Sequence, residues 1–172
     1  MDNEAEQAFR EFVATRTPAL MRTAYLLTGN QHDAEDLLQS ALTKSAMRLR
    51  AIRIIDLEAY VRRAMYHQQV DRWRLRFRRR ETLTDPQGSA LDTAIADSSG
   101  RTATKLLVRD ALRRLPPKQR TVVVLRYFED LTESEIAAQC GWAVGTVRSQ
   151  MHKAMTKLRA LAPELAAMAE EM

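Results

Sequence analysis

The sequence is poor in the residues that break helices or cross-link chains. Five glycines and five prolines among 172 residues leave little material for tight turns, which favours helices over a turn-rich β fold. One cysteine, Cys140, cannot form an internal disulfide, which fits a reducing compartment such as the cytoplasm; it reads as a small core residue. No long hydrophobic run exists. The most membrane-like stretch, Ala19–Leu27, is too short to span a bilayer and contains Arg22, so no membrane insertion is expected. The opening Met1-Asp2-Asn3-Glu4 is acidic without an apolar run, so no secretory signal is expected. Histidine is scarce too: His32, His67 and His152 lie far apart and outside any metal-ligand spacing. A Gly-rich phosphate loop and a nucleophile elbow are both missing. No enzymatic activity, metal or cofactor is expected.

Charge is present and unevenly spread. The net charge is +5, but residues 51–80 hold nine Arg against three acidic residues, and residues 81–101 hold four acidic residues against one Arg. A basic stripe followed by an acidic break suggests a polyanion-binding face that ends at a linker. A solvated helix face is the plainer alternative.

The apolar spacing predicts an all-α protein of two small helical domains joined by a flexible linker: residues 1–80, a linker at 81–101, and residues 102–172. Phe9, Phe12 and Val13 recur at helical spacing. Thr17-Pro18 is expected to restart the helix with Pro at its first position, and Thr28-Gly29-Asn30 to stop it. A helix from His32 to Leu49 follows, with Asp33, Glu35 and Asp36 in its first turns, where acidic groups suit the helix dipole, and Ala34, Leu37, Leu38, Ala41 and Leu42 on its apolar face. Asp56 is placed to cap a fourth helix that carries Leu57, Tyr60, Val61, Ala64 and Met65 inward and runs on through Arg72-Trp73-Arg74 to Arg78-Arg79-Arg80. Turn sequences fill the linker, with at most a short helix at Leu91–Ile95. In the second half, an amphipathic helix ends at Pro116-Pro117, another carries Val122–Leu125, and a final helix runs from about Val144 to Leu161. Pro163 and the residues after it read as a weakly ordered tail.

Three stretches suggest function. Thr132 to Leu158 gives a capping box, a short helix, a turn at Gly141 and a longer polar helix, the pattern of a helix-turn-helix. Ile136, Ala137, Val147, Met151, Ala154 and Leu158 fall on the inner faces. Thr146, Arg148, Ser149, Gln150, His152 and Lys153 are left outward, where they suit base edges and phosphates in a major groove. Tyr60 to Arg80 interleaves basic residues with Tyr60, Tyr66, Trp73 and Phe77, a composition for strand backbone and unpaired bases, although these aromatics equally suit a core. Asp33-Ala34-Glu35-Asp36-Leu37-Leu38-Gln39 offers an acidic face for a basic partner; taken alone it is a well-capped helix start.

In this order the three blocks resemble the extracytoplasmic-function (ECF) group of the bacterial sigma-70 family of RNA polymerase sigma factors. "DAEDLLQ" looks like the polymerase-binding segment of sigma region two. "AYVRRAMYHQQVDRWRLR" looks like its strand-opening and minus-ten segment. "ALRRLPPKQRTVVVLRYFEDLTESEIAAQCGWAVGTVRSQMHKAMTKLR" is similar to sigma region four. The resemblance covers nearly the whole chain, from Phe9 to Leu161. His67 stands where the family frequently has Asn and Gln150 where Arg is usual; Ser40 and Ala143 also depart from the common pattern.

The resemblance implies an alternative sigma factor that binds core RNA polymerase, recognises promoter DNA at its minus-thirty-five and minus-ten elements and promotes strand opening. It assigns core-polymerase binding to Asp33, Asp36, Leu37 and Gln39. It assigns minus-ten contacts to Arg62, Arg63, His67, Gln68, Asp71, Arg72, Trp73 and Arg74. It assigns minus-thirty-five contacts to Thr146, Arg148, Ser149, Gln150, His152 and Lys153. Many relatives have an anti-sigma protein as a further partner. The residues offer no evident dimerisation helix, so the free chain is expected to be a monomer. Two rival readings remain on the residues alone: an autonomous DNA-binding repressor or activator that uses only the second domain, and an RNA-binding protein that uses the Arg-aromatic helix.

Overall fold

In a computed structural model, which describes residues 3–49, 57–82, 100–164 and 167, every regular element is helical. The order is α1 (Asn3–Thr28), α2 (Gln31–Met47), α3 (Leu57–Thr82), α4 (Gly100–Arg113), α5 (Pro117–Tyr127), α6 (Glu133–Cys140) and α7 (Val144–Leu161). Contacts divide the chain into two compact units, Met1–Arg72 and Trp73–Met172, and α3 runs through the division. The expected linker helix at Leu91–Ile95, the Asp56 cap and most of the expected tail lie outside the described residues, as does most of the linker.

The first unit is built on period. Leu20, Ala24 and Leu27 of α1, Ala34, Leu37, Leu38 and Ala41 of α2, and Leu57, Val61 and Met65 of α3 recur three or four residues apart and are almost fully buried. The expected break at Thr17-Pro18 does not occur: α1 is one helix with Pro18 inside it. Proline removes one amide donor and crowds the preceding turn, which ordinarily kinks or ends a helix. The hydroxyls of Thr15 and Thr17 donate to the carbonyls of Glu11 and Val13 one turn back, while the carbonyl that Pro18 leaves without an amide is that of Ala14, and the helix continues through the proline. The helix expected to be fourth is therefore the third. Asn30, read as part of a stop signal, is also the N-cap of α2. Its Oδ1 accepts from the Asp33 amide at 2.8 Å, and its Nδ2 donates to the Asp33 carboxylate at 2.8 Å.

Polar ties fix α3 in this unit. Glu58 receives Arg16 in a two-pronged pair, Nε to Oε2 at 2.8 Å and Nη2 to Oε1 at 2.7 Å, and Arg62 on its other side. Arg62 also donates to Thr23 Oγ1 at 3.2 Å, and the buried Gln69 donates from Nε2 to the Leu27 carbonyl at 3.0 Å. Partial burial pushes the Glu58 carboxyl up, but the bonds and charges of Arg16 and Arg62 outweigh it and hold it below the ordinary range.

The second unit centres on Leu112, Leu115, Val122–Leu125, Ile136, Val147, Ala154 and Leu158. α7 packs on α5 and α6. Pro116-Pro117 separates α4 from α5, with Pro117 in the first turn, where its missing amide costs nothing. The buried Arg120 closes the end of α4: Nε donates to Leu112 O at 2.8 Å, and Nη2 to Arg113 O and Leu115 O at 3.1 Å each. A cation at a helix C-terminus also meets the negative end of the dipole. Burial, and then nearby Arg113, pull its pKa down to about 10, which leaves it charged at neutral pH.

Two stability predictions result. Arg120→Leu leaves buried carbonyls without their donor and should destabilise the second unit by about 3 kcal/mol, read by denaturant unfolding; a change within experimental error contradicts the assignment. Glu58→Gln should cost about 1 kcal/mol at neutral pH. Because the folded carboxyl has the lower pKa, its contribution is present above the unfolded value and is lost as pH falls through the folded one. The gap between wild type and variant should therefore close on acidification; a gap independent of pH contradicts the ion-pair origin.

Candidate nucleic-acid interface

The helix-turn-helix begins with a reciprocal cap. Glu135 N donates to Thr132 Oγ1 at 3.2 Å, while the Glu135 carboxylate accepts from the Thr132 amide at 2.7 Å and from its hydroxyl at 2.9 Å. Those bonds, the amide's first, hold Glu135 below the usual carboxylate range. Gly141 ends α6 with φ +67°; a Cβ there would meet nothing, so the glycine is needed for the left-handed backbone and not for space. Trp142 follows, half-buried, with Lys118 Nζ 5.6 Å from its ring centroid. Cys140 is in the core, and burial pushes its thiol up to about 12, so it stays protonated.

Burial of Val147, Ala154 and Leu158 sets the rotation of α7. Met151, expected inside, is half-buried. Arg148, Ser149, His152 and Lys153 are exposed, and Thr146 and Gln150 are half-buried at the edge of the same face. Arg148 is already engaged: its Nε donates to Glu133 Oε2 at 2.6 Å. Sequence reading took Glu133 only as part of the helix start; the signal was its charge, opposite to that of an outward Arg on the partner helix.

Along α3 the eight expected contact residues separate. Arg63, His67, Asp71 and Arg74 are exposed and follow one another at helical intervals, so they share a stripe, which Arg78 extends. Arg72 and Trp73 are half-buried, with Arg72 Nη1 3.4 Å from the Asp33 carbonyl of α2. Gln68 is buried, with Nε2 unbonded among the described residues, and Arg62 is held by Glu58 and Thr23. Tyr66 is also buried, which removes it from stacking, and Tyr60 is half-buried.

On α2, Asp36 and Gln39 are exposed and Asp33 is half-buried in the cap. Leu37 is fully buried on the apolar face with Ala34, Leu38 and Ala41, so among the four residues the resemblance assigns to polymerase binding it is the one turned onto the core. Among the described residues no cluster of metal-ligating side chains occurs, and no helix is long and apolar enough to cross a membrane.

This geometry defines a two-unit helical protein with a DNA-reading type of helix-turn-helix and a second, arginine-rich helix. The family described as Sigma-70, region 4 matches residues 105–158. The RNA polymerase sigma-E factor of Streptomyces avermitilis is 40% identical over 154 residues, covering 88% of this chain and 83% of that protein. The ECF RNA polymerase sigma factor SigE of Mycolicibacterium smegmatis is 33% identical over 164 residues, covering 92% of this chain and 63% of that protein. The fold is similar to that of the sigma factor RpoE from Bartonella quintana, solved with the anti-sigma factor NepR, with TM-score 0.66, 24% identity and coverage of 91% of this chain and 97% of that one. CnrH, solved with the cytosolic domain of CnrY, is similar at TM-score 0.55 and 21% identity over 91% of this chain and 93% of that one. The chain belongs to the ECF group of the sigma-70 family and is an alternative sigma factor of transcription initiation.

Asp33 and Asp36 of α2 should behave differently. Asp33→Ala removes the carboxylate that accepts from Asn30 Nδ2, leaving the backbone cap bond in place, and should cost about 1 kcal/mol, whereas Asp36→Ala should stay within about 0.5 kcal/mol of wild type. Thermal unfolding of the two variants checks this; equal losses contradict the capping role.

Proposed function

We propose that residues 1–80 dock on core RNA polymerase through Asp36 and Gln39, with Asp33 beside them, and that residues 102–172 read the minus-thirty-five element. The observation that carries the reading is the outward face of α7: burial of Val147, Ala154 and Leu158 leaves six hydrogen-bonding side chains, Thr146, Arg148, Ser149, Gln150, His152 and Lys153, on or beside one surface. In a major groove, Arg and Lys match phosphates and guanine, while a Gln amide matches the donor–acceptor edge of adenine.

The α3 stripe takes the minus-ten strand. Arg63 and Arg74 supply charge for the backbone, His67 and Trp73 supply ring faces for unpaired bases, and Asp71 accepts hydrogen bonds. Arg62, Gln68 and Arg72 support this stripe from beneath. The chain does no chemistry itself. It acts in the cytoplasm and contributes binding energy to a melted promoter, leaving nucleotide addition to polymerase. An anti-sigma protein is a further proposed partner, supported by the structurally similar sigma factor RpoE, which was solved with the anti-sigma factor NepR.

Run-off transcription with purified core polymerase tests the function as a whole: added chain should produce promoter-specific transcripts. Asp36→Lys should weaken core binding roughly tenfold or more through like-charge repulsion while leaving the fold intact; undiminished affinity removes the docking face. His67→Ala should alter base preference at the minus-ten element alone, measured by transcription from single-base promoter variants. The same preference at every minus-ten position shows His67 to be a bystander.

A further inference from the structure

Glu133 is the first residue of α6 and Arg148 lies in the second turn of α7, so their ion pair crosses the helix-turn-helix. The bond uses the Nε edge of the guanidinium; among the described residues Nη1 and Nη2 carry no further hydrogen bond. The Arg148 side chain is 69% exposed and that of Glu133 is 38% exposed. An ion pair this open adds little to stability. Its carboxylate also stands beside a surface proposed to approach DNA phosphates, where negative charge weakens binding to every sequence. What it does supply is order: a long, flexible side chain is held by one edge with its two terminal nitrogens available, so less freedom is lost when they bind.

We infer that Glu133 is a positioning residue for base readout: its carboxylate anchors Arg148 by Nε so that Nη1 and Nη2 meet the paired acceptors of one guanine edge in place of the nearest phosphate. The inference rests on the reading of α7 as the minus-thirty-five helix. Two acceptors side by side on the major-groove edge of guanine match two parallel N–H donors, and no other base offers that pair. Without the anchor, Arg148 swings toward the backbone, whose phosphates accept an arginine at any sequence. Glu133 thus trades general affinity for discrimination without touching DNA.

The experiment uses holoenzyme reconstituted from the full chain and core polymerase, titrated on a promoter and on its single-base minus-thirty-five variants at several salt concentrations. Glu133→Ala should lose about tenfold discrimination at one guanine position and bind scrambled duplex more tightly, with a salt slope steeper by about one unit. Arg148→Ala should lose discrimination at that same position, and the double variant should lose no more than either single one. Glu133→Gln retains an acceptor for Nε and should keep most of the discrimination, which separates anchoring from a simple change of charge. If Arg148→Ala loses discrimination while Glu133→Ala keeps it at every position, the inference falls and the reading of α7 stands. If Arg148→Ala itself changes no base preference, Arg148 is not a base reader and both fall.

Discussion

The surface offered by the second unit depends on where three small or branched side chains of α7 must go. Val147, Ala154 and Leu158 are spaced seven and four residues apart, two turns and then one, and burying all three allows the helix a single rotation. Everything outward follows from that rotation. A rotation of one residue, about 100°, would bring Arg148 inward, where an arginine without compensating bonds is costly. The Thr132–Glu135 cap and the left-handed Gly141 fix where α6 begins and ends, so Glu133 is delivered to Arg148. Arg120 anchors the other side of the unit by gathering three carbonyls at the end of α4.

A different device orients α3. Its buried row, Leu57, Val61 and Met65, is reinforced by polar ties: Arg62 to Thr23, Gln69 to the end of α1, and Arg72 toward the start of α2. Polar residues on the sheltered side of a helix define a rotation more sharply than apolar ones, because a displaced donor loses a bond as well as a contact. The exposed stripe of Arg63, His67, Asp71 and Arg74 is the other side of that constraint. Arg72 ties α3 to the helix that carries Asp33 and Asp36, so Arg63, His67 and Asp71 of the stripe belong to the same compact unit as that helix.

Local chemistry was the most legible part of the sequence. The capping box was readable because its two partners lie three residues apart, and the break at Gly141 because few other residues adopt that backbone. The helices of the described residues followed from apolar spacing and cap signals, except at Pro18, which α1 carries inside it where the sequence suggested a restart. Face assignments were harder. Leu37 was read on the apolar face with Ala34, Leu38 and Ala41 from its spacing and among the polymerase-binding residues from the resemblance, and its burial follows the spacing. Gln68 and Arg62 were grouped with exposed neighbours because composition does not report rotation. Arg120 and Glu133 went unassigned because their partners lie on other helices; the available signal for Arg120 was that it shares a face with the buried Val124, one turn on.

On the proposed function, neither unit is sufficient alone for promoter recognition. One helix-turn-helix contacts few base pairs, and the α3 stripe suits strands that are still paired in duplex DNA. Unpairing costs on the order of a few kcal/mol per extruded base, more than a small free unit recovers. In the proposed function, binding of both units to one polymerase makes the second DNA contact effectively intramolecular. The most direct measurement is a DNA-binding titration of the purified full chain on promoter and scrambled duplexes, with and without core polymerase. The account predicts weak, unselective binding by the chain alone, and selective, strongly salt-dependent binding once core polymerase is present. Tight, promoter-selective binding by the isolated chain at physiological salt would contradict it.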